Sequence, residues 1–436
     1  MKDCEDSEDD DIEDSESFFA YTTTSSSLTV SESGSEDNNT EDSDAQQLDL
    51  ISNILPDKTT SETNPSRNSN QWKDEPNIVK QIQFTTDPGL KINMESKKPL
   101  NFFRLFVTEE LINTMAVEIN CYATQKINKQ HPLRRSSRFK DWKPINSEDM
   151  RQFLGVLLHM GCVKIPSLEH YWSKNSLYRV FLFSRIMPRN KFQLMLRFWH
   201  FINNEDSGSK RLCKIIGLLD HLNNTMGNIY CPNKNISIDE SMMLWKGRLV
   251  FRQYVKNKRH KYCIKFYELC ESDSIVLKVK IYSGETTLSK HLLGQTGAIV
   301  LDLMEKLMGK EYHPSTDNFY NSFELTKHMI KQQTYTCGTL RTDRKSNLKE
   351  CTKAKLKQGD VISRSREGVV VAKWKDKRDV LMISNLHSLQ MIEVTNRRGE
   401  KKMKANIIKD YYRFMPGVDR AEQMVSCYDC LRKTSK

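Results

Sequence analysis

The sequence predicts an α/β protein, in which a mixed β-sheet with flanking helices follows a helical N-terminal domain and contains a β-rich insertion. Three observations predict this. Charge is unevenly divided along the chain, apolar residues recur at helical spacing over residues 98–230, and β-rich segments alternate with helical ones from Ile236 onward. A chain of 436 residues exceeds one ordinary domain. We therefore divide it into a disordered acidic tail, a helical domain, the first part of the α/β core, the insertion and a last core segment, at residues 1–97, 98–230, 231–343, 344–404 and 405–436.

The N-terminal tail is acidic and the rest of the chain is basic. Residues 1–50 contain 17 Asp and Glu residues against the single Lys2, whereas the remaining residues carry a formal net charge of +27. Serine-rich acidic sequence buries too little apolar surface to offset the entropy of an ordered chain, so we predict that residues 1–97 are disordered. The basic remainder predicts a polyanion as partner.

Composition excludes several classes of protein. The longest apolar run, Phe153 to Val163, is shorter than the roughly 20 residues that a membrane-spanning helix needs, so no membrane association is predicted. The acidic N-terminus lacks the basic and apolar segments of a secretion signal. Eleven cysteines are scattered without the spacing of a disulfide framework, which predicts free thiols in the cytoplasm or nucleus.

Four amphipathic helices are predicted between residues 98 and 230. Thr108 is a predicted N-cap, because two glutamates follow it and apolar residues then recur at helical spacing. Ser147 is the predicted cap of the second helix. The third begins near Asn190 and the fourth covers about Leu212 to Thr225.

From Ile236 the pattern changes to strands interspersed with helices. Ile236–Asp239 is predicted as a strand that ends in carboxylates. The other core elements are predicted as strands at Lys261–Cys270, Ile275–Ser283, a short segment before Asp317 and Thr334–Leu340, and as helices at residues 295–308 and Asn318–Lys331. Further β-rich segments within residues 344–404 predict the insertion. This order fits a mixed sheet with helices packed on it.

Three aspartates occupy the ends of separate predicted elements. Asp239 closes a strand, Asp317 lies at a strand-to-helix junction, and Asp419 opens the last helix. Carboxylates from three elements can form a site for Mg²⁺, and two such ions can activate the attacking oxygen and stabilise the leaving oxygen in phosphoryl transfer. Aspartates at helix starts are more commonly N-caps, and spacing alone does not decide between these roles.

A segment between the first two aspartates is both basic and aromatic. Its basic residues are Lys246, Arg248, Arg252, Lys256, Lys258, Arg259, His260, Lys261 and Lys265. The aromatic residues among them are Trp245, Phe251, Tyr254 and Tyr262. Lysine and arginine can neutralise DNA phosphates while aromatic rings stack on exposed bases. The alternative is a solvated basic hairpin whose rings belong to the core.

The three aspartates lie in motifs that resemble those of the piggyBac transposase family. The motifs are Ile236-Ser-Ile-Asp-Glu-Ser-Met-Met-Leu-Trp, with Phe251-Arg-Gln-Tyr behind it, Thr316-Asp-Asn-Phe-Tyr-Asn-Ser, and Gly417-Val-Asp-Arg-Ala-Glu-Gln-Met. Upstream, Phe153-Leu-Gly-Val and Asn190-Lys-Phe are similar to the helical region of the family. The resemblance spans about residues 98–436.

This resemblance implies an RNase H-like catalytic core. Its Asp-Asp-Asp triad would be Asp239, Asp317 and Asp419, with Glu422 as a further ligand for Mg²⁺ or Mn²⁺. The implied chemistry is nicking of transposon ends, hairpin formation by the freed 3′-hydroxyl and joining at TTAA targets. Residues 98–230 would supply part of a dimerisation and DNA-binding domain. The family likeness thus implies double-stranded DNA as partner and a nuclear location, and it allows a homodimer.

The sequence also departs from the family pattern. Tyr412 and Pro416 replace an asparagine and a glycine, and the cysteine-rich zinc module of the family is missing, so we expect a C-terminally truncated member with weak or absent transposition. One Cys427-x-x-Cys430 pair does not make a zinc site, so no zinc is expected in this chain. Two functions stay open: a transposase-type nuclease and a domesticated, non-catalytic DNA-binding or chromatin-associated protein. The motif order disfavours a phosphohydrolase unrelated to DNA.

Overall fold

The computed structural model describes most of the chain from residue 72 onward. The described residues are 72–74, 84–94, 96–205, 208, 211–245, 247–256, 261–284, 293–344, 347–395, 399 and 401–428. The predicted disorder of residues 1–71 lies outside them. Ordered structure begins before the predicted boundary at residue 98, since Lys73 bridges to Ser365 and Gly89–Leu90 (β1) pairs with Tyr230–Cys231 (β2).

Between residues 99 and 229 the described chain forms six α-helices. They are α1 (Pro99–Phe106), α2 (Glu109–Lys129), α3 (Ser147–Cys162), α4 (Phe181–Ile186), α5 (Arg189–Phe198) and α6 (Cys213–Ile229). The apolar faces of α2 to α5 share one buried cluster, which includes Ile119, Phe153 and Phe192. Among the helices that the structure describes, none has the length and apolar character needed to cross a bilayer.

The caps of two of these helices test the sequence prediction. The Thr108 hydroxyl accepts a hydrogen bond from the Leu111 N–H at 3.2 Å, as predicted for the start of α2. Ser147 does not cap α3. Asn146 does so, because its side chain accepts from the Asp149 N–H at 2.9 Å while the Asp149 carboxylate accepts from the Asn146 N–H at 3.3 Å. This reciprocal pair satisfies two backbone donors, and a lone serine cannot.

The described residues form one nine-stranded mixed sheet, so the predicted mixed sheet with helices is confirmed. Its strands are β3 (Asn235–Leu244), β4 (Gln253–Tyr254), β5 (Tyr262–Glu271), β6 (Val276–Ile281), β7 (His313–Thr316), β8 (Cys337–Thr339), β9 (Val361–Arg366), β10 (Val369–Lys375) and β11 (Asp379–Ser384). Their order is β4–β5–β3–β7–β8–β11–β10–β9, with β6 also paired to β5. β3, β7 and β8 are parallel, and the other pairs are antiparallel.

Helices cover both faces of this sheet. They are α7 (Gly294–Met304), α8 (Phe323–Lys331), α9 (Lys349–Lys353), α10 (Asn406–Phe414) and α11 (Gly417–Cys427). α7 and α8 pack on the face of Ile236 and Ile238. α10 and α11 pack on the opposite face, where Ile407 contacts the cluster of Cys337 and Val418 contacts Cys270.

Two element boundaries near the predicted aspartates differ from the prediction. β3 continues past Asp239 to Leu244, because buried Met243 and Leu244 extend the strand. α8 begins at Phe323, because the residues after Asp317 form a turn before it.

Residues 344–404 are β-rich, but β9 to β11 extend the main sheet through β8. A separate two-stranded sheet is formed by β12 (Met391–Thr395) and β13 (Lys401–Ala405).

Candidate carboxylate site

Asp239 lies on β3, and Asp317 directly follows the end of the neighbouring strand β7. β3 and β7 are parallel, and Ile238 is opposite Thr316 in their register. Asp239 and Asp317 each follow this last pair by one residue. Adjacent strands are about 4.8 Å apart, and paired residues point to the same face of a sheet. The two carboxylates therefore leave the same face, at the end of β7.

Helix α11 packs on that face. Gly417 lies against β3 and β5, because a Cβ atom at this position would be 2.6 Å from the carbonyl oxygen of Glu271 and closer still to Ser237 Oγ. Ser237 precedes Asp239 by two positions, and side chains two apart on a strand share a face. A glycine is thus required where the last helix meets the strand that carries Asp239.

A second contact fixes the direction of α11. Glu422 Oε1 accepts a hydrogen bond from the Met242 N–H at 3.4 Å. On α11, Asp419 lies between Gly417 and Glu422. On β3, Asp239 lies between Ser237 and Met242, which are the residues that Gly417 and Glu422 contact. The helix therefore holds Asp419 over the region of Asp239, although the Asp419 and Glu422 residues are themselves exposed.

The three acids share one electrostatic environment. Burial, together with the charges of Asp317, Glu240 and Asp419, raises the pKa of Asp239 to about 8. The Glu240 N–H donates to Asp239 Oδ1 at 2.8 Å, which partly offsets these effects. Burial and the Glu240 charge raise the pKa of Asp317 to about 6, against a hydrogen bond of 2.8 Å from the Phe319 N–H. The surroundings therefore stabilise the charged forms of Asp239 and Asp317 less well than water does.

Lys265 is the cation of this cluster. Its Nζ lies 3.4 Å from Glu240 Oε1 and 4.6 Å from the centroid of the Phe319 ring. Its charge also lowers the pKa of Asp317. The sequence predicted Lys265 as a DNA contact, whereas the structure places its side chain, only 18% exposed, among the carboxylates.

Asn321 holds the turn that carries Asp317. Its buried Nδ2 donates to the carbonyl oxygens of Thr316 at 3.0 Å, Asp317 at 2.9 Å and Thr339 at 2.8 Å. The Thr316 hydroxyl donates to Asn321 Oδ1 at 2.7 Å. Sequence reasoning did not assign a role to Asn321, although its place in the Thr316-Asp-Asn-Phe-Tyr-Asn motif was a signal.

The donors of this site suit a hard divalent cation in kind, because all of them are carboxylate oxygens. Asp239 and Asp317 supply two acids in register, and α11 brings Asp419 and Glu422 to the same face. In the part of the chain that the structure describes, no group of three or more His, Cys, Asp or Glu side chains is already arranged to hold a metal ion. The cluster is therefore a pair of aspartates with two further acids on the adjoining helix.

The basic and aromatic segment is divided between core and surface. Trp245 and Phe251 are buried in an apolar cluster with Ile264. Tyr254 and Tyr262 are 52% and 44% exposed, with ring centroids 5.1 Å apart. Trp245 and Phe251 thus belong to the core, whereas Tyr254 and Tyr262 are on the surface.

The described cations of this segment near Tyr254 and Tyr262 lie at the surface. Arg248, Lys256 and Lys261 are exposed, and the Arg252 guanidinium lies 4.4 Å from the Tyr262 ring centroid. The predicted DNA contacts Lys246, Lys258 and Arg259 lie outside the described residues. The β4–β5 hairpin, together with the loop before it that holds Arg248, therefore carries three exposed cations next to two exposed tyrosines.

The raised pKa of Asp239 predicts a stability gain on neutralisation. In metal-free protein, Asp239→Asn is expected to raise the free energy of unfolding at pH 8 by about 1–2 kcal/mol. Each unit of pKa shift corresponds to about 1.4 kcal/mol, and at a partly buried site solvent screening removes most of the resulting sum. An acid with a raised folded-state pKa costs nothing below its unfolded value near 4 and progressively more up to about 8. The measurement is the melting temperature in EDTA from pH 4 to pH 8.

The matched control is Asp343→Asn. The pKa of Asp343 is lowered by its hydrogen bonds with Arg341, so neutralisation is expected to lower the melting temperature at pH 8. An Asp239→Asn effect that is independent of pH would contradict the electrostatic explanation.

The chain matches a family model over this whole folded region. Residues 98–436 match the model described as Transposase IS4, which defines the class of protein. The human PiggyBac transposable element-derived protein 3 is 26% identical over 348 residues, covering 76% of this chain and 56% of the relative. The human PiggyBac transposable element-derived protein 2 is 24% identical over 363 residues, covering 79% and 59%. The chain belongs to the piggyBac family.

A solved structure has the same fold. The cryo-EM structure of a piggyBac transposase synaptic complex with hairpin DNA aligns with a TM-score of 0.70 and 21% identity, covering 80% of this chain and 73% of that one. The chain spans less than two thirds of the length of the curated relatives that it matches. The resemblance predicted from the motifs is thereby confirmed at the level of the family.

Proposed function

We propose that this chain is a transposase-derived DNA-binding protein whose RNase H-like core cleaves DNA strands with the help of a divalent cation. The observation that carries the proposal is that Asp239 and Asp317 each directly follow the last paired residues of the parallel strands β3 and β7, with α11 packed over that face. A buried pair of acids is electrostatically unfavourable by itself, as the raised pKa values of both residues indicate. Such a pair is typical of a site that binds cations or transfers protons.

In this proposal Asp239 and Asp317 hold Mg²⁺ or Mn²⁺, and Asp419 and Glu422 complete the site from α11. A bound divalent cation supplies activation of the attacking oxygen and stabilisation of the leaving oxygen. Lys265 limits the repulsion between the acids through its ion pair with Glu240.

The DNA surface that we propose is the β4–β5 hairpin with the loop that precedes β4. Its exposed Arg248, Lys256 and Lys261 offer positive charge to phosphates, while Tyr254 and Tyr262 offer rings for stacking. The related transposase was solved with hairpin DNA, and this supports double-stranded DNA as the partner. Joining at TTAA targets, a homodimer and a nuclear location are further parts of the proposal.

The test is nicking of a supercoiled plasmid by the full chain. The plasmid carries TTAA-flanked terminal repeats, and a matched plasmid lacks them. We expect nicked product in Mg²⁺ or Mn²⁺ and none in EDTA. Saturable DNA binding without nicking in either metal would replace this proposal with the non-catalytic DNA-binding alternative.

The hairpin makes a prediction of its own. Replacing Arg248, Lys256 and Lys261 together with glutamine is expected to reduce the slope of log K against log salt by about 2–3, since each lost phosphate contact contributes about 0.9. The measurement is fluorescence anisotropy with duplex DNA at several salt concentrations.

The matched control is the same change at Lys353, Lys355 and Lys357. These lysines are also exposed, and they adjoin β9 and β10 at the other end of the sheet. An equal loss of slope in both variants would argue for diffuse charge attraction and against a binding surface at the hairpin.

A further inference from the structure

The outer edge of the sheet at β9 is covered by three residues from the N-terminal region. The Lys73 N–H donates to the Ser365 carbonyl oxygen at 2.9 Å, and the Ser365 N–H donates to the Lys73 carbonyl oxygen at 2.9 Å. This is an antiparallel bridge of the kind that adds a strand to a sheet. An edge strand with unpaired backbone groups is a template for pairing with another extended segment.

An aromatic side chain anchors this segment. The Trp72 ring lies 5.3 Å from the Phe323 ring, and both join a cluster that includes Ile330 and Ile362. The Arg366 guanidinium lies 5.0 Å from the Trp72 ring centroid and 4.0 Å from that of Phe323. Trp72 therefore fills a pocket formed by β9 and the start of α8, with a cation stacked beside it.

A charged side chain fixes the other end of the segment. Asp74 forms an ion pair with Arg364 of β9, which also pairs with Glu350. Trp72 and Asp74 are two positions apart, so in an extended segment both side chains point to the same side. These contacts therefore favour an extended segment with an aromatic residue, then any residue, then an acid.

We propose that the β9 edge is a peptide-binding surface for extended segments of this aromatic–any–acid pattern, and that Trp72–Asp74 occupies it as a strap in the same chain. The proposal is independent of DNA cleavage. Phe323 begins α8 shortly after the turn that follows Asp317. The strap therefore also contacts the helix next to the carboxylate site.

The strap is small enough to be exchanged. It is held by two backbone hydrogen bonds, the contacts of the Trp72 ring with Phe323 and Arg366, and one ion pair. Its attachment to the chain gives it an effective concentration of roughly millimolar. A free peptide should therefore compete poorly with the intact strap and well with a damaged one.

The experiment uses the full chain and a fluorescent peptide that spans residues 66–80. The Trp72→Ala chain is expected to bind the peptide saturably, at least tenfold more tightly than the unsubstituted chain, whose own strap occupies the edge. A peptide in which Trp72 is replaced by alanine should not bind. The Tyr428→Ala chain, which loses a 70% exposed aromatic residue directly after α11, is the matched control and should behave like the unsubstituted chain.

Three results would overturn the proposal: no binding by a Trp72→Ala chain that is folded by circular dichroism, equal binding by the unsubstituted chain, or equal binding of the peptide without tryptophan. If Trp72→Ala prevents folding, Asp74→Arg serves instead, because it opposes Arg364 at an exposed position. It should also increase peptide capture, and its failure to do so would equally reject the strap.

Discussion

The Asp239→Asn variant is expected to nick DNA at least about 100-fold more slowly than the unsubstituted chain, since charge stabilisation by a bound metal ion contributes several kcal/mol to such reactions. The amide is nearly the same size as the carboxylate but lacks the charge that holds a hard cation. Asp317→Asn should have an effect of the same size, because Asp239 and Asp317 directly follow the last paired residues of β3 and β7.

Two further measurements separate this loss from a folding defect. Asp343→Asn removes an exposed acid that pairs with Arg341 at 2.7 Å, away from the cluster, and should nick at the normal rate. Mg²⁺ should raise the melting temperature of the unsubstituted chain but not that of Asp239→Asn. Normal nicking by Asp239→Asn would mean that Asp239 is not part of the proposed site. An equal loss of nicking in Asp343→Asn would mean that the loss does not depend on where the acid is removed.

The Gly417→Ala variant should lose both stability and activity. The added methyl group would overlap the Glu271 carbonyl oxygen and Ser237 Oγ, and such overpacking lowers the free energy of unfolding by about 1–3 kcal/mol. α11 must then move away from β3 and carry Asp419 with it. Because a displacement of 1 Å at a reacting group can reduce a rate by about 100-fold, nicking should fall by about that factor.

The matched control is Gly155→Ala. Gly155 is also a helical glycine, but a Cβ atom there would meet nothing within 4 Å, so alanine should stabilise α3 slightly through its higher helix propensity. Thermal unfolding and plasmid nicking of both variants test the prediction. Normal stability in Gly417→Ala would mean that α11 does not pack against β3 as described.

The sequence predicted helices and strands well where neighbouring residues alone determine them, through a capping side chain or the spacing of apolar residues. The Thr108 cap is an example, since the residues that make it adjoin in sequence. The end of β3 could not be predicted in the same way. The acids at Asp239 and Glu240 interrupt the apolar pattern, but the strand continues because β5 pairs with it as far as Leu244, and such pairing lies beyond any local window.

The candidate site shows the same limit. Motifs drew attention to Asp239, Asp317 and Asp419, but their sequence positions did not indicate that the first two follow one register. Lys265 looked like one more cation of a basic segment, and only the fold brings it to Glu240. Trp72 lay in a region whose composition predicted disorder, and its order depends on a partner strand nearly three hundred residues further along the chain.

The packing of α11 also has a consequence for the timing of assembly during synthesis. β3 and β7 can pair once the middle of the chain has left the ribosome, but the Met242–Glu422 contact joins residues 180 positions apart. Domains generally fold as units while the chain emerges from its N-terminus. The nascent polypeptide can therefore pair the strands of Asp239 and Asp317 before α11 emerges, and Asp419 and Glu422 join this face only afterwards.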